Sequence, residues 1–400
     1  MDLHNGSLFW PTTLEGEQVF KGKQKIDKHY DAVIVGGGMS GALTAYTLAQ
    51  EGLHIAIVDK REMAGGSSSA NTGLLQFSND IMLHELIEQI GEKKAVKFYK
   101  LCQKAVDQLE GVSDTLLRDT DLIRRKSICY ASTKEHVQKL QKEYEALIKH
   151  GFPAEYWTEE EMKEHLPFVK PAALITYGDA EVNPYRFIQG ILEYLEQKGV
   201  HLFEHTEAKE VEEQGSGILL HTSIGPFSAS NIIYATGYDT IPIDEKIGSD
   251  INRSYAIATE PIEDLSSWED RAIIWETKRP YLYLRTTVDN CIIAGGLDED
   301  KPEAPQSEEW IVNRGQRIQN ELRKLFPDLS INVAYSWGAS FGESLDNLPF
   351  IGKHPHKERQ YYLLGYGGNG TVYSMLGSNI LRDLILDRQN EDAELVKLDR

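Results

Sequence analysis

The sequence predicts an α/β protein, and three observations predict it. A short apolar strand, Tyr30–Val35 (YDAVIV), runs straight into Gly36, Gly37 and Gly38 and then into a helix-forming stretch, ALTAYTLAQEG. A second apolar strand, His54–Val58, ends on Asp59. Near the far end, Tyr361–Leu364 meets another glycine-rich turn, Gly365–Gly370, followed by an apolar stripe at Val372, Leu376, Ile380 and Leu384. Strand, tight turn and helix in succession are the units of a parallel sheet covered by helices.

The first unit carries Gly36-x-Gly38-x-x-Gly41 in the context that gives this pattern meaning, namely strand, turn, helix, strand and acid. Gly36 makes the tight turn, Gly38 admits a pyrophosphate to the backbone, and Gly41 lets the helix pack on the strand. Met39 and Ser40 open the helix, whose free N–H groups and partial positive charge suit phosphates. Asp59 lies eighteen residues past Gly41, placed to accept hydrogen bonds from a ribose and to repel a 2′-phosphate. The unit is therefore Rossmann-like and favours FAD or NAD over NADP. A glycine turn that binds nothing would not need three glycines and a terminal acid together.

Lys60 and Arg61 follow, then AGGSSSANTGLL, a loop whose Ser67, Ser68, Asn71 and Thr72 can meet a phosphate or a ring edge. Ala95, Phe98, Cys102, Ala105, Leu109, Val112 and Leu116 mark the buried face of a long helix. Another helix is expected over Thr133–Lys149, and Thr158 with Glu161 forms a capping box, so the run TEEE is a helix start rather than a metal site. Asn183-Pro184 opens a helix that ends at Gly199. The strand VHLFEHT comes next, with Ala208 beyond it as a further cofactor contact. Strands at Ile218–Leu220 and SNIIY end on Ala235, Thr236 and Gly237, small enough for a cofactor to lie against them. Ser254–Ala294 reads as an antiparallel sheet and Trp310–Phe326 as an amphipathic helix. The expected organisation is an N-terminal extension (1–29), a discontinuous cofactor domain (30–120, 180–245 and 340–390) and an inserted antiparallel β-sheet substrate domain (121–179 and 246–339).

The formal net charge of −20 repels phosphate backbones and anionic lipids, so no nucleic-acid or membrane partner is expected. Cys102, Cys129 and Cys291 are scattered and odd in number, giving neither a disulfide framework nor a CxxC metal pair. No metal is expected. The N-terminus lacks a basic region followed by an apolar run, and no stretch approaches the ~20 apolar residues that span a bilayer. A cytoplasmic protein follows.

These blocks together resemble the D-amino-acid oxidase-like superfamily of FAD oxidoreductases, its glycine/sarcosine oxidase branch most. The resemblance runs from about Tyr30 onward through DAVIVGGGMSGALTAYTLAQEG with Asp59, GGSSSANTG, IIYATGY, YLYLR with IIAGG, DNLPFIG and GYGGNGTVYSMLGSNILRDLI. It implies a glutathione-reductase-like FAD-binding domain with the AMP end of FAD at Asp59. Its pyrimidine end would face Gly367, Gly368, Asn369, Gly370 and Thr371, where a helix N-terminus can stabilise negative charge. Positions where some members attach FAD covalently look like Ala70 and Ala339 here, so the flavin is expected to be non-covalent.

The resemblance also implies a substrate carboxylate anchored by Arg285. On an extended strand Tyr281, Tyr283 and Arg285 share a face, and an arginine fork suits a carboxylate. The alternative is an exposed strand arginine. The second arginine of glycine-oxidase relatives is replaced by Phe341, with Glu343 two residues on. Glu343 is either solvated or meets a second ammonium of a polyamine-like or lysine-like substrate. Asp346 is expected to hold a turn. Where sarcosine-oxidase-like members carry a lysine, Ile293 stands, leaving oxygen or another electron acceptor open.

The expected reaction is oxidation of the C–N bond of an amine or amino acid to an imine by hydride transfer to FAD. Two alternatives are an FAD-dependent 2-hydroxy-acid dehydrogenase and a non-catalytic flavoprotein subunit; an NAD-only dehydrogenase is a third.

Overall fold

The computed structural model describes residues 3–14, 25–215, 217–238, 249–301, 307–365 and 367–400. The expected domain boundary at residue 245 and Tyr366 of the second glycine turn lie outside the described residues.

The smaller sheet carries both glycine turns. Its strands run in the order Phe350–Lys353, Gln360–Leu364, Gly225–Tyr234, Tyr30–Val35, Ile55–Val58 and His201–Phe203. All pairs are parallel except the first. The strands are apolar because both faces are covered, as a parallel sheet requires. A second apolar cluster, around Tyr30, Phe203 and Phe227, covers one face. The other carries helices Met39–Ala49, Glu92–Thr115 and Gly370–Ile385. The hairpin partner Ala208–Gln214, which the sequence reading did not mark as a strand, extends this sheet through Gly217–Thr222. Its alternation is polar on both sides, EVEEQ, so it carries no apolar period to detect.

The larger sheet has ten strands and is mostly antiparallel, with one exception to the expected pattern. Ile273–Glu276 pairs parallel with Ile123–Tyr130, joining the two substrate-domain segments through their middle. The expected boundaries at 180 and 340 fall inside two strands of this sheet, Ala172–Glu181 and Val333–Ser344. The outer face is covered by helix Glu308–Leu325, through Ile318 and Leu322.

The described residues 3–14 of the N-terminal extension are built into the molecule. His4–Gly6 pairs antiparallel with Val333–Ser344 at His4↔Ala339, adding an edge strand. Trp10, 2 % exposed, donates Nε1–H to the Asn71 carbonyl at 2.6 Å. A strand that short has no pattern of its own; its partner, more than three hundred residues away, creates it. Among the described residues no helix is long and apolar enough to cross a membrane.

Helix ends behave as the caps dictate. Thr158 and Glu161 form the reciprocal capping box, and the Asn183 side chain accepts from Arg186 N–H with Pro184 in the first turn. Asp346 does hold a turn: it accepts from Leu348 N–H and pairs with Arg400.

Candidate functional site

One cavity of about 500 Å³ runs along the carboxyl ends of the parallel strands and continues under the larger sheet, the position where open α/β sheets bind ligands. At one end stands the first glycine turn. Gly36 has φ +111°, and a Cβ there would lie 2.3 Å from the Ala235 carbonyl oxygen. A Cβ on Gly38 would meet Ser68 Oγ at 2.8 Å. Gly41 does not line the cavity; a Cβ there would sit 1.8 Å from Gly36 O, which is the close helix-to-turn packing its place in the motif demands.

Asp59 closes this end. Its carboxylate accepts from Gly37 N–H at 2.7 Å and Arg61 N–H at 2.8 Å. Burial pushes its acidity weaker than an ordinary aspartate, partly offset by those two amides. Lys60, Arg61, Ser67, Ser68, Ala208, Thr236 and Gly237 line the same end. The Ser67 hydroxyl is buried without a partner. The helix Met39–Ala49 begins at Gly38 with no side-chain cap, and so does Gly370–Ile385 at Asn369. Ser40 and Ser374 join these two helices at 2.8 Å. An orphaned hydroxyl, a glycine cradle and two helix starts without an N-cap side chain, the first with its Met39 N–H met by Ser68 Oγ at 2.9 Å, fit a dinucleotide such as FAD. Ala70 and Ala339 also line the cavity, and neither has a side-chain atom able to bond a ring.

At the second glycine turn, Gly367, Gly368, Asn369, Gly370 and Thr371 all reach the cavity. The Asn369 side chain is committed to the protein: its amide donates to the carbonyls of Gln76 and Ser78, each at 2.8 Å, and to Asn79 Oδ1. Asn71 spans from the serine-rich loop to Thr371 Oγ1 at 3.3 Å. Asp80 holds Gly368 N–H at 2.7 Å and accepts from Tyr281 OH at 3.1 Å.

Two of the four residues expected at the substrate do line the cavity, Tyr281 and Tyr283. Burial pushes the Tyr283 phenol up to about 12. The other two do not. Arg285 is 2 % exposed and does not line the cavity. Its guanidinium donates to the carbonyls of Thr72 (2.7 Å), Val182 (2.7 Å) and Thr286 (3.1 Å), lies 3.8 Å from Glu181 and stacks over Trp10. The face-sharing argument for this strand holds, but the substrate space ends before Arg285, where the N-terminal segment and the Thr72–Gly73 loop fill it. The carboxylate anchor expected there is thus corrected to an internal strut. Glu343 is half-buried beside the cavity rather than in its wall, and accepts from Asn252 at 3.1 Å. Phe341 does line it.

The sequence reading missed Asp80, Asp298 and Arg279. Asp298 lies on strand Ile292–Glu299, where plain alternation would set it with Ala294 and Gly296 on the face away from the cavity. A bulge reverses it. Arg253 pairs with Glu299 but Tyr255 with Gly296, so Leu297 and Asp298 together oppose one residue. Gly296 (φ +123°) and Leu297 (φ 56°) make the kink. Leu297 joins the apolar cluster on the outer face, and Asp298 lines the cavity. Gly295-Gly296 was the available signal.

Burial pushes the Asp298 carboxyl up to about 6, helped by the charge of Asp80 and opposed by Ser254 and Arg279; Tyr281 and Tyr283 flank it. A carboxyl held above its ordinary 3.8 stabilises the fold while protonated and loses that contribution as pH rises through about 6. An Asp298→Asn protein is therefore expected to melt higher than the parent above pH 6, with the difference vanishing below pH 3.8. Thermal melts across that range check this, and an equal difference at both ends would refute the burial argument.

Among the described residues, one group with metal-ligand geometry lies outside the cavity: Asp27, His54 and His201, with His54 Nε2 3.2 Å from Asp27. Tyr30 also bonds both Asp27 N–H and His201. All three cysteines are buried and unpaired.

Residues 31–384 match the family described as "FAD dependent oxidoreductase". A putative Rieske 2Fe-2S iron-sulfur protein of Bacillus subtilis (strain 168) is 24 % identical over 91 % of this chain and 70 % of its own length. Glycine oxidase of Geobacillus kaustophilus (strain HTA426) is 24 % identical over 89 % of this chain and 93 % of its own. The crystal structure of glycine oxidase from Geobacillus kaustophilus superposes with a TM-score of 0.80 at 21 % identity, covering 93 % of this chain and 99 % of that one.

Proposed function

The chain belongs to the FAD dependent oxidoreductase family, and we propose that it holds FAD non-covalently and oxidises the C–N bond of an amine or amino acid. The observation that carries this reading is the continuous cavity joining a dinucleotide cradle to a tyrosine-walled space. FAD when bound supplies the redox chemistry, accepting two electrons and a proton as hydride from the carbon next to nitrogen. The substrate, having also lost its N–H proton, is an imine, which water hydrolyses to a carbonyl compound and the freed amine. The electrons pass on to oxygen or another acceptor.

The protein's own part is orientation and electrostatics. Asp59 and the helix starting at Met39 suit the nucleotide end. The helix starting at Gly370, whose N-terminus has no side-chain cap, would offer ~+0.5 of positive charge to a flavin ring held beside it and so favour its reduced form. Tyr281 and Tyr283 form the wall facing the substrate. Three unpaired thiols suit a reducing compartment such as the cytoplasm.

An anaerobic visible spectrum of the purified protein, titrated with amines, amino acids and 2-hydroxy acids, tests the reading. The yellow band is expected to bleach with nitrogen donors. Bleaching by hydroxy acids alone would replace this reading with the dehydrogenase, and a colourless protein that takes up no FAD would sink it.

A further inference from the structure

The charges along the cavity are segregated. Among the described residues that line it, the basic ones are Lys60, Arg61 and Lys209. Lys60 and Arg61 follow Asp59 directly. Lys209 lies on the segment entered from Thr206, whose N–H binds the Asp59 carbonyl at 2.7 Å. All three therefore belong to the nucleotide end. The tyrosine end presents Asp80 and Asp298 and no basic side chain. Arg279 stands just outside, half exposed, stacked on Tyr281 at 4.4 Å and bonded to the Asp80 carbonyl at 2.8 Å. Its charge is thereby matched by Asp80, and Glu343 lies in the same neighbourhood.

Asp298 has Ser254 as a hydrogen-bond partner and feels Arg279 more weakly. One of its carboxylate oxygens is buried and has no hydrogen-bond partner. Besides Ser67 at the nucleotide end, another orphan lines the same cavity: Ser340, 3 % exposed, whose hydroxyl also has none. A buried carboxylate oxygen without a partner costs stability, and a ligand cation would remove that cost. The bulge at Gly296-Leu297 turns this carboxylate inward. An α-amino acid would bring its own carboxylate into a space that offers no cation and two carboxylates.

Resting on the amine-oxidation reading, we propose that the substrate is a cationic amine of the diamine class, with a second nitrogen beyond the one oxidised, and that Asp298 binds that second ammonium. The oxidised nitrogen must be neutral to release hydride from its neighbouring carbon, and a carboxylate beside it would hold it protonated. The second nitrogen has no such restriction and remains an ammonium. The aromatic ring of Tyr283 suits the same cation, while Tyr281 already carries Arg279 on its ring.

The test uses the FAD-loaded protein with 1,4-diaminobutane, 1,5-diaminopentane, n-butylamine and glycine as probes. Binding is read as perturbation of the flavin spectrum and, separately, as anaerobic bleaching. A diamine is expected to bind at least ~10-fold tighter than n-butylamine, corresponding to one modest charge pair. Glycine is expected to bind weakest. In Asp298→Asn the diamine preference is expected to vanish while n-butylamine binds as before, and Asp298→Glu is expected to restore part of it. Equal binding of diamine and monoamine, tighter binding of glycine, or an intact preference in Asp298→Asn would overturn the proposal. The two readings separate cleanly. A diamine that binds through Asp298 without bleaching keeps the ammonium site at Asp298 but removes amine oxidation, and with it the diamine as substrate. Bleaching by glycine with no diamine preference does the reverse.

Discussion

An Arg285→Ala protein is expected to lose about 3–5 kcal/mol of stability, the usual cost of removing one partner of a buried ion pair, and to lose it through the fold rather than through substrate binding. The guanidinium is the donor for three main-chain carbonyls on three separate segments, at Thr72, Val182 and Thr286. Burial lowers its own pKa to about 10, opposed by Glu181, so the arginine is already at a disadvantage that only its partners justify. Taking it away orphans those carbonyls. It also leaves Glu181, 1 % exposed, with Arg125 as its remaining ion pair. Thr72 lies in the serine-rich loop that lines the cavity, so flavin retention should fall with stability. The measurement is a urea midpoint with flavin content on the same sample. Turnover per bound flavin is expected to be unchanged. An unaltered midpoint with abolished turnover would return Arg285 to the substrate.

A Gly41→Ala change is the second large effect. Its Cβ would stand 1.8 Å from Gly36 O and 3.4 Å from Ile34 Cγ2. Both are within the strand-turn unit, and the closer one is backbone, so no side-chain rotation relieves the clash. The helix Met39–Ala49 has to move away from the strand, carrying its N-terminus off the cavity and away from Ser68. Losing about 3 kcal/mol of pyrophosphate and helix-terminus interaction would weaken FAD binding by more than ~100-fold, at tenfold per 1.4 kcal/mol. The ratio of absorbance at the flavin band to that at 280 nm after dialysis reads this directly. Full retention of colour would mean that the helix can shift without disturbing the cradle.

The nucleotide end was legible because its chemistry is local. Gly36, Gly38, Gly41 and Asp59 sit within one strand–helix–strand unit, and each is dictated by a steric or electrostatic need at its own position. The long helix Glu92–Thr115 was legible through its apolar period. The substrate end was not, because it is made by registers between distant strands. Alternation put Tyr281, Tyr283 and Arg285 on one face correctly, yet nothing in YLYLR says that the space beyond Tyr283 is filled by Trp10 and the Thr72 loop. The same alternation rule fails at Asp298, where one extra residue inverts the strand. Asp80 has no periodic signature at all, since it lies in the irregular stretch between Leu75 and Leu83 and is placed by Gly368 N–H. The N-terminal strand is visible only once Val333–Ser344 exists to pair with it.

That dependence has a consequence for synthesis. Tyr30–Val35 waits for Gly225–Tyr234, and His4–Gly6 waits for Val333–Ser344. Ser40 meets Ser374 only when the chain is nearly finished. At about 5–20 residues per second, the ribosome needs on the order of 20–70 s to reach the residues that complete the cradle. Until then the glycine turn emerging first has no opposite wall. A truncated or stalled chain therefore exposes apolar strands and holds no flavin, so colour reports completed chains and retention of the cofactor is a late event in the life of each molecule.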